Sequence, residues 1–214
     1  MKKNLLFIFF VINIGVHAQS VYFKTGVNNT NYHYKSELGE VSKVFQSQLG
    51  DAYEIGYRFP LSDSLRFSYE IGLVLNEYNA IVGVPNASIK WKTDYVGIQS
   101  TFICPIVKLD CFTIDAKAGG GLNTILYGKQ DLNGIVYDLK KNNDFEGVVF
   151  HVLLGLQANL KASEYCHLSI GYNYSNSISS LKSPQKFSFE TNQIMFGIHL
   201  TKFKKIDKKE KNNL

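Results

Sequence analysis

Apolar residues in this chain recur at every second position, over stretches longer than an ordinary globular strand, and this period most narrows what the chain can fold into. From Gln48 to Phe59, the residues Leu49, Tyr53, Ile55, Tyr57 and Phe59 share one face, while Gln48, Gly50, Glu54, Gly56 and Arg58 share the other. From Arg66 to Asn76, the residues Phe67, Tyr69, Ile71, Leu73 and Leu75 alternate with Arg66, Ser68, Glu70, Gly72, Val74 and Asn76. A helix would space its apolar residues three and four apart, so a period of two predicts strands with one apolar and one polar face.

The same alternation runs through six more segments, 21–31, 92–104, 111–126, 145–160, 166–175 and 191–203, for eight strands in all. The connections alternate in length: about 13 residues, then Pro60–Leu65, about 15, Pro105–Asp110, about 18, Lys161–Tyr165 and about 15. An even strand number with short turns at one end and long loops at the other is the pattern of a transmembrane barrel. The fold class predicted is therefore all-β, an eight-stranded antiparallel up-and-down transmembrane β-barrel with both termini on the short-turn, periplasmic side. A soluble β-sandwich also alternates, but its strands average about 5–6 residues, whereas a tilted spanning strand needs about 9–11. Aromatic residues point the same way. Tyr57, Phe59, Phe67, Tyr69 and Phe112 gather near the short turns, and Tyr78, Trp91, Tyr127 and Tyr174 near the long loops, as two interfacial belts would.

Lys2 and Lys3, an apolar run from Leu5 to Val16, and His17-Ala18 before Gln19 have the parts of a secretory signal peptide. The run is too short for a spanning helix, which needs about 20 apolar residues. The expected organisation is signal 1–18, barrel 19–203 and basic tail 204–214. The formal charge is +5, but the signal carries two Lys and the tail five Lys against Asp207 and Glu210, which leaves the body neutral. A neutral body lacks the electrostatic footprint of a nucleic-acid binder. The odd number of cysteines, Cys104, Cys111 and Cys166, argues against a disulfide framework. By register Cys104 points outward and Cys111 inward, so a bridge between them would need a bulge.

Phe23-Lys24-Thr25-Gly26-Val27-Asn28 in the first strand, Tyr95-Val96-Gly97-Ile98 in the fourth and Ala116-Lys117-Ala118-Gly119 in the fifth resemble the outer-membrane β-barrel domain family, the porin-like and PorT-like eight-stranded barrels. The resemblance spans nearly the whole mature chain. It departs from the pattern in the fourth strand, where Gly97 and Gln99 stand in place of an acidic residue and a proline, and beyond Phe203, where a tail follows the last aromatic. What the resemblance implies is a fold and a location in the bacterial outer membrane, in contact with outer-membrane lipid. It also allows a PorT-like part in a secretion apparatus, with a surface or secretion-system protein as partner.

Inside such a barrel the polar faces meet. A turn centred on Ser62 would set Glu54 opposite Glu70 and Arg58 opposite Arg66, all toward the lumen, with Asp115 and Lys117 extending the set. Eight strands leave an interior that side chains just fill. Charges there must be paired, and Glu54, Arg58, Arg66, Glu70, Asp115 and Lys117 read as a lumen network forming a polar plug rather than an ion path. His167-Leu168-Ser169 resembles the His-x-Ser element of outer-membrane lipid deacylases. By register both side chains face the lumen and no acidic third member can be placed, so a lipid-modifying enzyme is the weaker alternative. His151 and His199 read as lumen hydrogen-bonding groups, and no pair has metal-ligand spacing. Gly119-Gly120-Gly121 has neither the following helix nor the Lys-Ser/Thr of a phosphate loop. Tyr-Glu-Ile-Gly occurs twice, at 53–56 and 69–72, and reads as convergence on strand composition. The sequence expectation is thus a non-enzymatic barrel with no cofactor, no catalytic or metal residues, a packed polar lumen and long loops for surface interaction.

Overall fold

The computed structural model describes residues 20–35, 41–42, 45–61, 67–84, 87–132, 134–139, 147–179 and 186–201. Expectations for signal residues 1–18, for Arg66 and for the tail 204–214 lie outside these residues. The barrel strands are β1 (Ser20–Lys35), β2 (Phe45–Pro60), β3 (Ser68–Val84), β4 (Ala87–Lys108), β5 (Phe112–Leu132), β6 (Val148–Lys161), β7 (Cys166–Ser179) and β8 (Lys186–Thr201). Each pairs antiparallel with the next, and β8 returns to β1 from Ser20↔Thr201 to Lys35↔Lys186. The result is a closed eight-stranded antiparallel β-barrel. Closure leaves no sheet edge in the wall, which satisfies the backbone without water and so permits a strand to cross lipid.

The wall is turned inside out relative to a soluble protein. Phe23 is 47% exposed, Ile98 54%, Leu154 59% and Phe196 57%, whereas Lys24, Glu54, Glu70 and Lys117 are 3% exposed or less. This apolar band girdles the barrel on every strand and is far larger than the patches a soluble monomer shows. Toward the long-loop end it gives way to a polar collar at the outward positions Asn29, Asp51, Glu77, Asp94, Asn176 and Asn192.

Three expectations are corrected. The expected 15-residue loop between the third and fourth strands is strand up to Val84 and again from Ala87, because β3 and β4 pair all the way to Val84↔Ala87. With β5, which runs 21 residues, and a short strand Ile135–Asp138 folded back on Lys129–Leu132, they carry the sheet well beyond the collar. Gly134, at φ +88°, supplies the left-handed residue that this two-residue hairpin requires.

The β2–β3 register is also shifted. Arg58 faces Glu70, Glu54 faces Val74 and Gly56 faces Gly72, so the expected Glu54–Glu70 and Arg58–Arg66 pairs do not form. β2 continues through Phe59 to Pro60, and the hairpin is closed by the Leu61 amide donating to the Phe67 carbonyl at 2.8 Å. The shift is even, so every side chain keeps its face. It replaces like-charge neighbours by the opposed pair Arg58 and Glu70, which cross-strand energetics favour.

Third, Tyr78 and Trp91 are not belt residues. Tyr78 lies inside, 3% exposed, and Trp91 packs against the same internal cluster. All three cysteines are free thiols, with Cys104 exposed on the outer face and Cys111 exposed in the β4–β5 turn.

Candidate functional site

The lumen is stratified from the turn end to the loop end. Nearest the turns lies a charged tier centred on Glu70. Lys24 Nζ donates to Glu70 Oε2 at 2.6 Å, Lys117 Nζ lies 3.5 Å from the same oxygen, and Arg58 Nη1 is 4.0 Å from Oε1. Arg58 Nη2 donates to Asp115 Oδ2 at 3.1 Å, and Lys24 Nζ stands 3.8 Å from Glu54 Oε2. Three cations, Lys24, Arg58 and Lys117, therefore meet three carboxylates, Glu54, Glu70 and Asp115. An isolated ion in such a place would cost several kcal/mol, and the opposed charges offset that cost.

Neutral groups complete the tier. Tyr22 donates to Glu54 Oε1 at 2.7 Å, Lys117 to Gln157 Oε1 at 3.3 Å, and Asn159 to Asp115 Oδ2 at 2.9 Å. Lys24 Nζ also sits 4.1 Å from the centre of the Tyr22 ring. Gly56 and Gly72 make the space for that ring: a Cβ on either would come within 2.7 Å of the Tyr22 hydroxyl. Gly and Glu of the two Tyr-Glu-Ile-Gly copies thus both serve the lumen, one by making room and the other by carrying charge.

Of the residues expected here, Glu54, Arg58, Glu70, Asp115 and Lys117 lie in one connected set. Lys24, buried on the inner face of β1, is a further member that the expected network does not include, and it bridges two of its carboxylates. The signal that could have found it is charge balance, since without Arg66 the expected set carries one negative charge too many.

The middle tier is made of amides and an imidazole. Asn28 Nδ2 donates to the Asp51 and Glu77 carbonyls, each at 3.3 Å, and Gln193 Nε2 donates to Asn28 Oδ1 at 2.8 Å. Asn123 Nδ2 donates to His151 Nδ1 at 3.2 Å, and His151 Nε2 to Gln99 Oε1 at 3.1 Å. This pairing uses both ring nitrogens of a neutral imidazole.

The loop-end tier is aromatic. Phe189, fully buried, lies 4.6 Å from the Tyr78 ring, 5.4 Å from Tyr32 and 6.1 Å from Tyr95. Tyr32 donates to the Tyr78 carbonyl at 2.9 Å, and Thr93 to the same oxygen at 2.6 Å. Leu139, just past the short strand, closes this tier. It is 1% exposed, and its amide donates to the Gly128 carbonyl at 3.0 Å. Just outside, on the collar, burial beside Glu77 raises the carboxyl of Asp94 above its ordinary range.

His167 and Ser169 share a strand, but the Ser169 hydroxyl meets His199 Nε2, at 3.1 Å on the neighbouring strand. Ser169 faces the lumen and is 9% exposed, away from the lipid side. At the turn-end mouth the structure has a cavity of about 460 Å³, floored by Arg58, Asp115, Asn159 and His199 and rimmed by the β4–β5 and β6–β7 turns.

A closed barrel with an apolar exterior and a filled interior defines a class, the small transmembrane barrel. The fold is similar to that of solved structures. Neisserial surface protein A is 13% identical and matches with a TM-score of 0.50 over 85% of this chain and 97% of its own. The attachment invasion locus protein Ail of Yersinia pestis (11% identity, TM-score 0.32) covers 84% of this chain and 99% of its own. The outer membrane protease OmpT of Escherichia coli (7%, TM-score 0.38) covers 86% and 97%. At these identities the first likeness bears on the fold alone, and the other two carry no argument. No family profile and no curated protein sequence matches the chain.

Proposed function

We propose that this protein is an integral barrel of the bacterial outer membrane, delivered by a cleaved signal peptide at residues 1–18. It catalyses no reaction and offers its protruding sheet and loops to partners at the cell surface. The observation that carries this reading is the combination of an apolar girdle on the outside with charge on the inside, which only a lipid surround stabilises. The stratified lumen supports a sealed barrel rather than a pore, since paired charges, amides and stacked rings fill successive levels of it.

The test is mobility of the outer-membrane fraction on a denaturing gel with and without heating. A folded barrel resists detergent alone and migrates differently once boiled. Absence of the protein from that fraction, or identical mobility in both lanes, contradicts the proposal. A second reading, a component of a protein-export apparatus, draws on the PorT-like resemblance of Phe23-Lys24-Thr25-Gly26-Val27-Asn28. A deletion strain that fails to export other proteins would bring it forward.

A further inference from the structure

The turn-end cavity has a mixed lining. Among its residues are three hydrogen-bond donors: Arg58 from β2, Lys161 at the end of β6 and His167 at the start of β7. Lys161 and His167 are cross-strand partners, and both Lys161 and Arg58 lie within electrostatic reach of the His167 ring. Arg58 donates to Asp115 at 3.1 Å, stands 4.0 Å from Glu70, and lines the cavity with the rest of its guanidinium edge. The lining also includes apolar groups, Pro105 of β4, Leu109 of the β4–β5 turn and Phe112 of β5.

Among the described rim residues charge cancels, because the exposed Asp110 and Glu164 offset Lys108 and Lys161. Asp115 is already held by Arg58 and Asn159. Selection by this cavity therefore comes from the clustering of Arg58, Lys161 and His167, not from net charge. A volume of about 460 Å³ is that of a small-molecule site. The charged tier lies directly beneath, so an occupant is held at the mouth and does not pass through.

We propose that this cavity binds a small organic anion, a carboxylate or phosphate monoester joined to an apolar body. The acid group lies against Arg58, Lys161 and His167, and the body against Pro105, Leu109 and Phe112. The inference does not depend on the surface role proposed above, and it is read on purified protein in neutral detergent. Either idea can therefore fail alone.

The probe is phenyl phosphate, followed by calorimetry and by protection of Cys111, an exposed thiol on the cavity wall. Protection is measured in a Cys104→Ser, Cys166→Ala background with a water-soluble thiol reagent. Phenyl phosphate binds and slows labelling of Cys111, and inorganic phosphate, lacking the apolar body, binds about tenfold more weakly. The double variant Lys161→Ala, His167→Gln, which leaves the charged tier intact, weakens binding by about tenfold or more, while Lys90→Ala near the other end does not. A short-chain phosphatidate is tested beside phenyl phosphate. Tighter binding of the soluble ester assigns a free solute, and tighter binding of the phosphatidate assigns a lipid headgroup. No binding of either compound, or binding indifferent to the double variant, overturns the proposal.

Discussion

The two ends of the lumen solve the same packing problem by opposite means. At the turn end, six charged side chains cancel one another around Glu70. At the loop end, Phe189, Tyr78, Tyr32 and Tyr95 pack ring against ring with Leu139 above them. The contrast follows from what surrounds each tier. The charged tier sits within the apolar girdle, where strands supply inward Lys and Glu at fixed register and a closed wall excludes water. The aromatic tier sits at and above the collar, where a segment outside the barrel wall must be recruited to complete the packing. Charge pairing is all-or-none, because one missing partner strands another. Aromatic packing degrades gradually, by the volume lost.

That difference can be broken by substitution. The largest effect is expected from Glu70→Ala, which leaves Lys24 and Lys117 without their shared partner and should cost about 3–5 kcal/mol in urea unfolding from lipid vesicles. Phe189→Ala at the other end should cost about 3 kcal/mol through the cavity it leaves. If the two tiers are independent, the double variant should show the sum to within about 0.5 kcal/mol. A larger departure would mean that one tier sets the shape of the other.

Within the charged tier, Arg58→Ala should be rescued in part by Asp115→Asn. The pair Arg58→Met with Asp115→Asn should therefore unfold at a higher temperature than Arg58→Ala alone, since it removes the stranded carboxylate and keeps volume. If all these variants melted like the parent, Arg58 would be solvated and not part of a plug.

The smallest effect belongs to the collar. The Asp94 carboxyl is raised by burial and by Glu77, so its ionised form is disfavoured in the folded state. Stability from this group is present while it is protonated and is lost as pH rises through the carboxylate range. Asp94→Asn should remove that slope and raise the unfolding temperature slightly at neutral pH, with little change in acid. A lowered unfolding temperature at neutral pH would show that Lys92, not burial, governs the site.

Period-two alternation was enough to reveal the eight strands, their inward and outward faces and most of the charged tier, because each of these depends only on parity along a strand. Register depends on where a hairpin turns. Nothing local in Leu61 to Phe67 marked that point, and the clue was energetic, namely Arg58 opposite Glu70 rather than Arg66. Lys24 was legible as an inward residue but not as a partner, since its contact with Glu70 joins β1 to β3 across an intervening strand. Nearness to the loop end alone suggests a belt position for Tyr78, but its even position on β3 turns it inward. Leu139 had no signal at all. It stands alone outside any alternating run, and only the fold-back of Ile135–Asp138 brings it over the lumen.

The measurement that most directly tests a lipid-embedded barrel with a filled lumen is a spin-label scan along β6 in a cysteine-free background in vesicles. Labels at Phe150, Val152, Leu154 and Leu156 should be reached by oxygen but not by a water-soluble relaxer, as lipid-facing sites are. Labels at His151, Leu153 and Gln157 should be reached by neither. If the odd-numbered sites admitted the water-soluble relaxer, the lumen would be an open aqueous path. If the even-numbered sites did, the barrel would not be in a membrane at all.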